Sequence, residues 1–444
     1  MLFALPPLTL LGFALGTMLF EGRARAFGLL LQPEVLIGLV IVNALTLVYR
    51  VGVILDAYLL ARRRWPVTGG QARRMGTAVV LGALLVATLG MHAGAGYVSL
   101  KTYDTITTVF APDETPTPTA VPTPAASGAS PGEPTTTPIP TPEPTPVPVW
   151  STDGRLDLLL VGGDAGPGRF SLRTDTMILL SVDVATGRAA MFGIPRNMMK
   201  VPLPEGPASA FDCGCYPDLL NSLFVYAGAH PELFRGGDSR GYLAVQDAVG
   251  EMTGLTLDGM LVVTLQGFVR LVDALGGLEI TTPYNVYDSH YPLEDGSGSI
   301  ELWIPAGHHV FDGHTALAFA RSRHQDSDYD RMYRQQLVLL ALRREVRPCD
   351  LVIRIPELLD IARDSLWTNL PIRQLPDLLA LANQVQTGSI AQYQFWPPDI
   401  PEALTARALQ RIHAMVSDPF NPIASASPNP SGATPTPEPD TPFC

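Results

Sequence analysis

Charge is scarce in this 444-residue chain: Asp, Glu, Lys and Arg make up only 16% of it. A soluble globular domain usually carries about 25%, so part of the chain is expected to lie in a membrane. Positive charge is scarcer still, with 30 Lys and Arg against 42 Asp and Glu and a net charge of −12. That balance disfavours a nucleic-acid partner, whose phosphates call for basic surfaces. Four cysteines are too few for a disulfide scaffold, and the paired Cys-x-x-Cys units of a zinc ribbon are missing. The chain has no His-Glu-x-x-His or His-x-His spacing and no internal repeat. A basic start and a small-residue cleavage site are not evident, so a cleaved signal peptide is not expected.

Three apolar runs are present instead: Leu2–Phe20, Val35–Leu60 (broken at Arg50 and Asp56) and Thr77–Leu100. A span needs about 20 mostly apolar residues, which predicts an α-helical transmembrane region of about three helices over residues 1–100. Arg62, Arg63, Arg64, Arg73 and Arg74 crowd the loop before the third run. By the positive-inside rule that loop is cytoplasmic and everything after Leu100 lies outside. Arg23 and Arg25 run against the rule, because alternation places their loop outside.

Residues 101–149 read as a Pro/Thr-rich extracytoplasmic spacer, with proline at 13 of the 37 positions from 112 to 148. Proline fixes φ and removes a donor, so the tract is neither helix nor sheet. It is either a semi-rigid extended spacer that holds a domain off the membrane or a plain linker. A second Pro-rich tract, read as a disordered tail, covers 418–444.

Residues 150–417 have the patterning of one large domain. Leu156–Val161, Met177–Val184, Ala189–Ile194, Met260–Leu265 and Leu278–Thr282 read as strands. Leu219–Gly228, Tyr242–Met252, Gly267–Leu275, Thr315–Arg321, Tyr329–Glu345, Ile355–Asp364 and Ile372–Asn383 read as helices. Their alternation predicts an α/β layered fold.

The chemistry of this domain lies in arginines and aspartates at element ends. Asp164 follows the first strand, where open α/β sheets bind ligands. Arg173 and Asp175 precede the second strand, Arg196 ends the third, and Arg321 and Arg323 close a helix. Arg331, Arg334 and Gln335 stand at i, i+3 and i+4 and share a helix face, with Asp328 at the expected N-cap. Six arginines without acidic neighbours at helical spacing point to a polyanionic ligand, since guanidinium forks match phosphate oxygens. Asp164 and Asp175 could hold Mg²⁺ beside those phosphates. Any one of these arginines taken alone is more often a surface ion pair or a helix-dipole partner.

Seven segments in order resemble the LytR-CpsA-Psr family of cell-wall polymer ligases: LLLVGGD at Leu158–Asp164, RTDTMI at Arg173–Ile178, IPRN at Ile194–Asn197, NSLFVYAG at Asn221–Gly228, LVDALGGL at Leu271–Leu278, FDGHTALAFARSR at Phe311–Arg323 and SDYDRMYRQQ at Ser327–Gln336. The resemblance implies a central mixed sheet flanked by helices, with an apolar pocket for a polyprenyl chain. It implies transfer of a glycopolymer from undecaprenyl pyrophosphate to peptidoglycan, usually to the C6 hydroxyl of N-acetylmuramic acid, leaving a phosphodiester. It gives Asp164 and Asp175 the Mg²⁺ role and Arg173, Arg196, Arg321, Arg323, Arg331 and Arg334 the pyrophosphate role. Gln335 then orients a phosphate oxygen or an arginine. Two positions depart from the family pattern: Asn197 stands where Asp is common, and Leu219 where Lys is frequent.

Other features carry less chemistry. Cys213 and Cys215 could pair with each other in a strained unit, or one could pair with Cys349. His308, His309, His314 and His324 read as solvated or capping residues, with Gly307–Gly313 as a turn. Asp273 with Gly276 and Gly277 reads as a helix end. Apolar helices at Leu219–Tyr226 and Leu337–Leu342 either pack a core or line a lipid pocket. The reading that follows is a membrane-anchored, Mg²⁺-dependent phosphotransferase with its catalytic domain outside the cell membrane. Its partners are a polyprenyl-pyrophosphate-linked glycopolymer, peptidoglycan and the membrane, with no nucleic acid. The alternatives are a polyprenyl-pyrophosphate hydrolase and a non-catalytic lipid-pyrophosphate binding module.

Overall fold

The computed structural model describes residues 23–64, 71–110, 153–163, 174–293, 297–323, 327–345, 354–385 and 390–420. The first apolar run, nearly all of both Pro-rich tracts, Asp164, Arg173, His324 and Cys349 lie outside the described residues.

Three helices come first: α1 (Arg23–Leu30), α2 (Pro33–Arg64) and α3 (Gln71–Val109). Both α2 and α3 are long and apolar enough to cross a membrane. Side chains along them face outward, with Val48 71% and Val86 73% exposed. Asn43 ties the two together, its Nδ2 donating to the His92 carbonyl at 2.8 Å. Helix α3 runs nine residues past Leu100, through the start of the segment read from sequence as spacer.

The domain is built on a six-stranded mixed sheet. Its strands are β1 (Arg155–Gly163), β2 (Thr174–Asp183), β3 (Ala189–Gly193), β6 (Gly259–Thr264), β11 (Leu366–Thr368) and β12 (Ile390–Gln394), in the order β11-β6-β1-β2-β3-β12. Strands β1, β2 and β3 run antiparallel to one another, while β6 joins β1 and β12 joins β3 in parallel. Alternation along the strands sends side chains to two faces. Leu159, Val161, Met177 and Leu179 join the main core with α5 (Leu220–Ala229), α6 (Arg240–Thr253) and α12 (Ala406–Ser417). Leu156, Leu158, Leu180 and Val182 turn the other way, toward α11 (Leu375–Gln384).

Smaller pieces complete the fold. β4 (Val201–Pro202) pairs with β5 (Cys215–Tyr216), and a one-turn α4 (Glu205–Ala208) lies between them. α7 (Leu265–Leu275), β7 (Leu278–Thr282), β8 (Val286–Pro292), β9 (Ser299–Ile304), β10 (Gly307–Phe311), α8 (Gly313–Arg321) and α9 (Asp328–Glu345) share a second core around Val272, Leu278, Phe319 and Val338. α10 (Ile355–Ser365) precedes β11.

The structure corrects several sequence expectations. Gly307–Phe311 is a strand paired with β7 rather than a turn, and its single deeply buried residue, Phe311, left no apolar alternation to read. Of the two pairings left open by the sequence, Cys213 bonds Cys215, and Gly214 at φ 62° turns the chain between them. The domain stays packed past residue 417: Tyr393 Oη donates to the Pro419 carbonyl at 3.0 Å, and Phe420 lies under Arg155. Asp273 plays the structural part expected of it, accepting from Gly313 N at 2.8 Å.

The anchor helices dock on the domain. Arg25 Nε pairs with Asp377 Oδ1 at 3.2 Å, Lys101 Nζ with Asp360 Oδ2 at 2.6 Å, and Arg363 Nε with Asp104 Oδ2 at 3.1 Å. Leu36 and Ile106 bury against Ile372 and Leu375. Gly28 lies so close to Pro376 that a Cβ would collide with its backbone. Arg25 therefore sits at the domain end of the spans, and Arg62 and Arg63 at the opposite end of α2. At 1.5 Å per residue those ends are about 48 Å apart. Of the two arginines that run against the charge rule, Arg25 is thus taken up by an ion pair with the domain.

Candidate functional site

Register explains why residues far apart in sequence meet here. Antiparallel pairing sets Gly163 beside Thr174 and Ile178 beside Gly193. The end of β1, the start of β2 and the end of β3 therefore share one edge of the sheet. α9 begins at the same edge, capped by Ser327: its Oγ accepts from Asp330 N at 3.2 Å and donates to Asp330 Oδ2 at 2.6 Å. Ser327 is thus the cap, and the expected cap, Asp328, is the first helical residue. This frees the Asp328 carboxylate for another use.

Two arginines and two aspartates close a ring. Arg196 Nη1 donates to Asp175 Oδ1 at 2.7 Å, and its Nε lies 3.6 Å from Asp328 Oδ1. Arg331 grips both Asp328 oxygens, at 3.1 and 2.9 Å, and its Nη1 donates to the Asp175 carbonyl at 2.9 Å. Asn221 Nδ2 adds a bond to Asp175 Oδ1 at 3.1 Å. The arginines thus have acidic partners, one of them at helical spacing, contrary to the sequence expectation.

Burial alone would raise the Asp175 pKa. The charge and hydrogen bond of Arg196, with Asn221 and the Arg331 charge, outweigh it and hold the carboxyl below the usual range. An ionised carboxylate that stays partly exposed fits a share of a divalent cation's shell. Among the described residues no group of three or more His, Cys, Asp or Glu could hold a metal by itself. Asp164, the other carboxylate expected to hold a cation, lies outside the described residues.

The remaining predicted residues divide. Gln335 Nε2 donates to Thr176 Oγ1 at 2.8 Å and reaches the Ala320 carbonyl at 3.4 Å, drawing the end of α8 to the start of β2. Arg321 follows directly and is partly exposed, and Arg323 is exposed. Arg334 is different: it is 0% exposed, donates to the Phe319 carbonyl at 2.8 Å and to the Ser322 carbonyl, and contacts Tyr284 Oη at 3.3 Å. The pyrophosphate role expected for Arg334 is not available to a guanidinium walled in this way. It clamps the segment that carries Arg321 and Arg323. Asp288 supports the same segment, accepting from Ser322 Oγ at 3.2 Å and Arg323 N at 3.3 Å.

Asn197 has a partner that explains its amide. Its Nδ2 donates to Glu402 Oε1 at 2.5 Å, where an aspartate would set two carboxylates face to face. Tyr329 stands nearby, its hydroxyl pKa pushed up to about 12 by burial and by the negative charges of Glu402 and Asp328. Asn221, Asp328 and Glu402 are the site residues that sequence reasoning did not assign. Only Ser327–Asp330, a Ser-x-x-Asp capping pattern, carried a readable signal that Asp328 was free.

The sequence profile of the LytR_cpsA_psr family matches residues 129–400. This chain belongs to the LytR-CpsA-Psr family. Its similarity extends to biofilm regulatory protein A of Streptococcus mutans, 26% identical over 245 residues covering 53% of this chain and 55% of that protein. A teichoic acid transferase of Oceanobacillus iheyensis, the polyisoprenyl-teichoic acid–peptidoglycan teichoic acid transferase TagU, is 30% identical over 226 residues covering 50% of this chain and 62% of that protein. The chain thus spans little more than half the length of these curated relatives. Among solved structures, protein gbs0355 from Streptococcus agalactiae aligns with a TM-score of 0.46 and 20% identity, covering 61% of this chain and 89% of that one. The LytR-CpsA-Psr segments read from the sequence all fall inside the matched range.

Proposed function

We propose that this chain is a membrane-anchored phosphotransferase that moves a glycopolymer from a polyprenyl pyrophosphate carrier to peptidoglycan, forming a phosphodiester. The observation that carries the reading is the ring of Arg196, Asp175, Arg331 and Asp328 at one sheet edge, with Arg321 and Arg323 held beside it. Phosphoryl transfer needs positioning and charge stabilisation more than a protein nucleophile. In this scheme the acceptor hydroxyl oxygen bonds to the phosphorus next to the glycopolymer. The bond from that phosphorus to the bridging oxygen breaks, polyprenyl phosphate leaves with the bridging oxygen, and the hydroxyl proton passes to solvent.

In this reading Arg196 meets phosphate oxygens as charge builds there. Arg331 is 3% exposed and acts by fixing Asp328 and the start of β2. Arg321 and Arg323 supply further cations, positioned by Arg334 and Gln335. Asp164 and Asp175 are the residues that would hold Mg²⁺, which would offset phosphate charge when bound.

Membership of a family that includes a teichoic acid transferase supports this reading. The test is incubation of the full chain in nanodiscs with labelled lipid-pyrophosphate glycopolymer and peptidoglycan oligomers. Label in the peptidoglycan supports the ligase. Free polyprenyl phosphate without labelled peptidoglycan would replace it with the hydrolase, and tight binding without turnover with the binding module.

A further inference from the structure

We infer that the anchor helices form one wall of the site for the donor's lipid chain, so that the chain passes from the bilayer into the protein between α2, α3 and the domain. The inference rests on the lipid-pyrophosphate reading above and extends it to residues of the anchor.

A cavity of about 800 Å³ lies on the sheet face opposite α5, α6 and α12. That is the upper part of the range in which proteins enclose a whole small ligand. Its floor is the outward row of the sheet, Leu158, Leu160 and Leu180, with Leu339 and Leu340 of α9 beside it. The facing wall comes from the anchor: Leu36 and Leu39 of α2, and Val98, Thr102 and Ile106 of α3. The threonines of this wall are satisfied within the protein. Thr102 Oγ1 donates to the Val98 carbonyl at 2.8 Å, and Thr105 Oγ1 to the Leu359 carbonyl at 3.3 Å. A wall of this kind gives water few partners and suits hydrocarbon.

The cavity runs between the two ends such a donor requires. Leu160 sits opposite Ile178, three residues from Asp175, or about 10 Å at strand spacing. Leu339 is eight residues beyond Arg331 on α9, about 12 Å at helical rise. One end therefore adjoins the charged ring, and the other is flanked by helices continuous with the membrane spans. A ligand with a pyrophosphate head and one long apolar chain matches both ends. The ion pairs of Arg25, Lys101 and Arg363 hold the wall in register with the floor.

The test uses the full chain in phospholipid nanodiscs with a photoreactive phenylalanine at Val98, in the wall, or at Val86, 73% exposed on the same helix. Tritiated polyprenyl phosphate is the probe. The expected result is labelling at position 98 about tenfold above position 86, abolished by excess unlabelled polyprenyl phosphate; excluding even two methylenes from such a site changes occupancy by about that factor. Equal labelling, or labelling that unlabelled probe does not compete, would mean that α3 meets bulk lipid alone and would overturn the inference.

A kinetic measurement accompanies it. Thr102→Trp narrows the cavity from the anchor side, and the ratio of transfer from a long-chain donor to transfer from a ten-carbon donor is expected to fall about tenfold. An unchanged ratio overturns the wall. A wild-type protein that transfers from neither donor retires the ligase reading, while the labelling still decides the wall.

Discussion

Arg196 Nη1 and Asp175 Oδ1 stand 2.7 Å apart, with 19% and 26% of the two side chains exposed. The pair is neither sealed in the core nor free on the surface, so an incoming anion can reach Arg196 while Asp175 still orients it. The two partners should fail differently. Arg196→Ala removes a preorganised donor and is expected to cost about 100- to 1,000-fold in transfer rate. Added Mg²⁺ should not restore that loss, and Arg196→Lys should recover only part of it, since it keeps the charge without the fork. Asp175→Ala should respond to raised Mg²⁺ with partial recovery. Transfer rate against Mg²⁺ for the three variants checks this. Near-wild-type turnover in folded Arg196→Ala would remove the phosphate role.

Arg334 should behave as a clamp. Arg334→Met leaves the Phe319 and Ser322 carbonyls without their donor, at about 1–3 kcal/mol for each buried group. The expected sign is a lowered melting temperature together with lost activity. A variant that melts like the wild type yet loses turnover would point to ligand contact and contradict the clamp.

Asp258 gives a pH signature remote from the site. Burial raises its pKa from 3.8 to about 6. The folded state therefore holds a proton that the unfolded state gives up between those values. Stability from this group is fully present below about pH 4 and is lost as pH rises through 6. Asp258→Asn is expected to raise stability at pH 7 by on the order of 1 kcal/mol, after allowance for its partial exposure. Its advantage should vanish near pH 4. Thermal melts of both proteins across pH 4–8 are the measurement, and a parallel offset at every pH would contradict it.

Orientation is open to a direct check. The arginines at 62–64, at the far end of α2 from the domain, predict a cytoplasmic loop and an outer domain. An enzyme reporter that works only after export, fused after Trp150, should be active. Activity of a cytoplasm-only reporter at that position would reverse the topology and remove peptidoglycan as the acceptor.

Strands β1, β2 and β3 were legible because burial on both faces leaves near-continuous apolar runs. Strand β12 was not, since Gln392 and Gln394 interrupt its apolar residues. The arginines and Asp175 were legible as element ends, but their partners depend on strand register and on where α9 starts, which no local pattern carries. The burial of Arg334 has no local signal either. It shares a helix face with Arg331 and Gln335, and only the return of α8 onto α9 shows that this face turns inward. The docking of the anchor on the domain was equally out of reach, because Arg25 and Asp377, or Lys101 and Asp360, lie far apart in the sequence.

That docking changes what the Pro-rich tract can do. The segment leaves α3 at a point already packed on the domain and returns to β1 of the same domain, so both of its ends are pinned to one body. A tether fixed at both ends sets no height, and lengthening or shortening it leaves the charged ring at the same distance from the bilayer. Under the proposed function the acceptor would have to come down to the charged ring, with glycan strands freshly made at the membrane surface within reach and the outer layers of a mature wall beyond it.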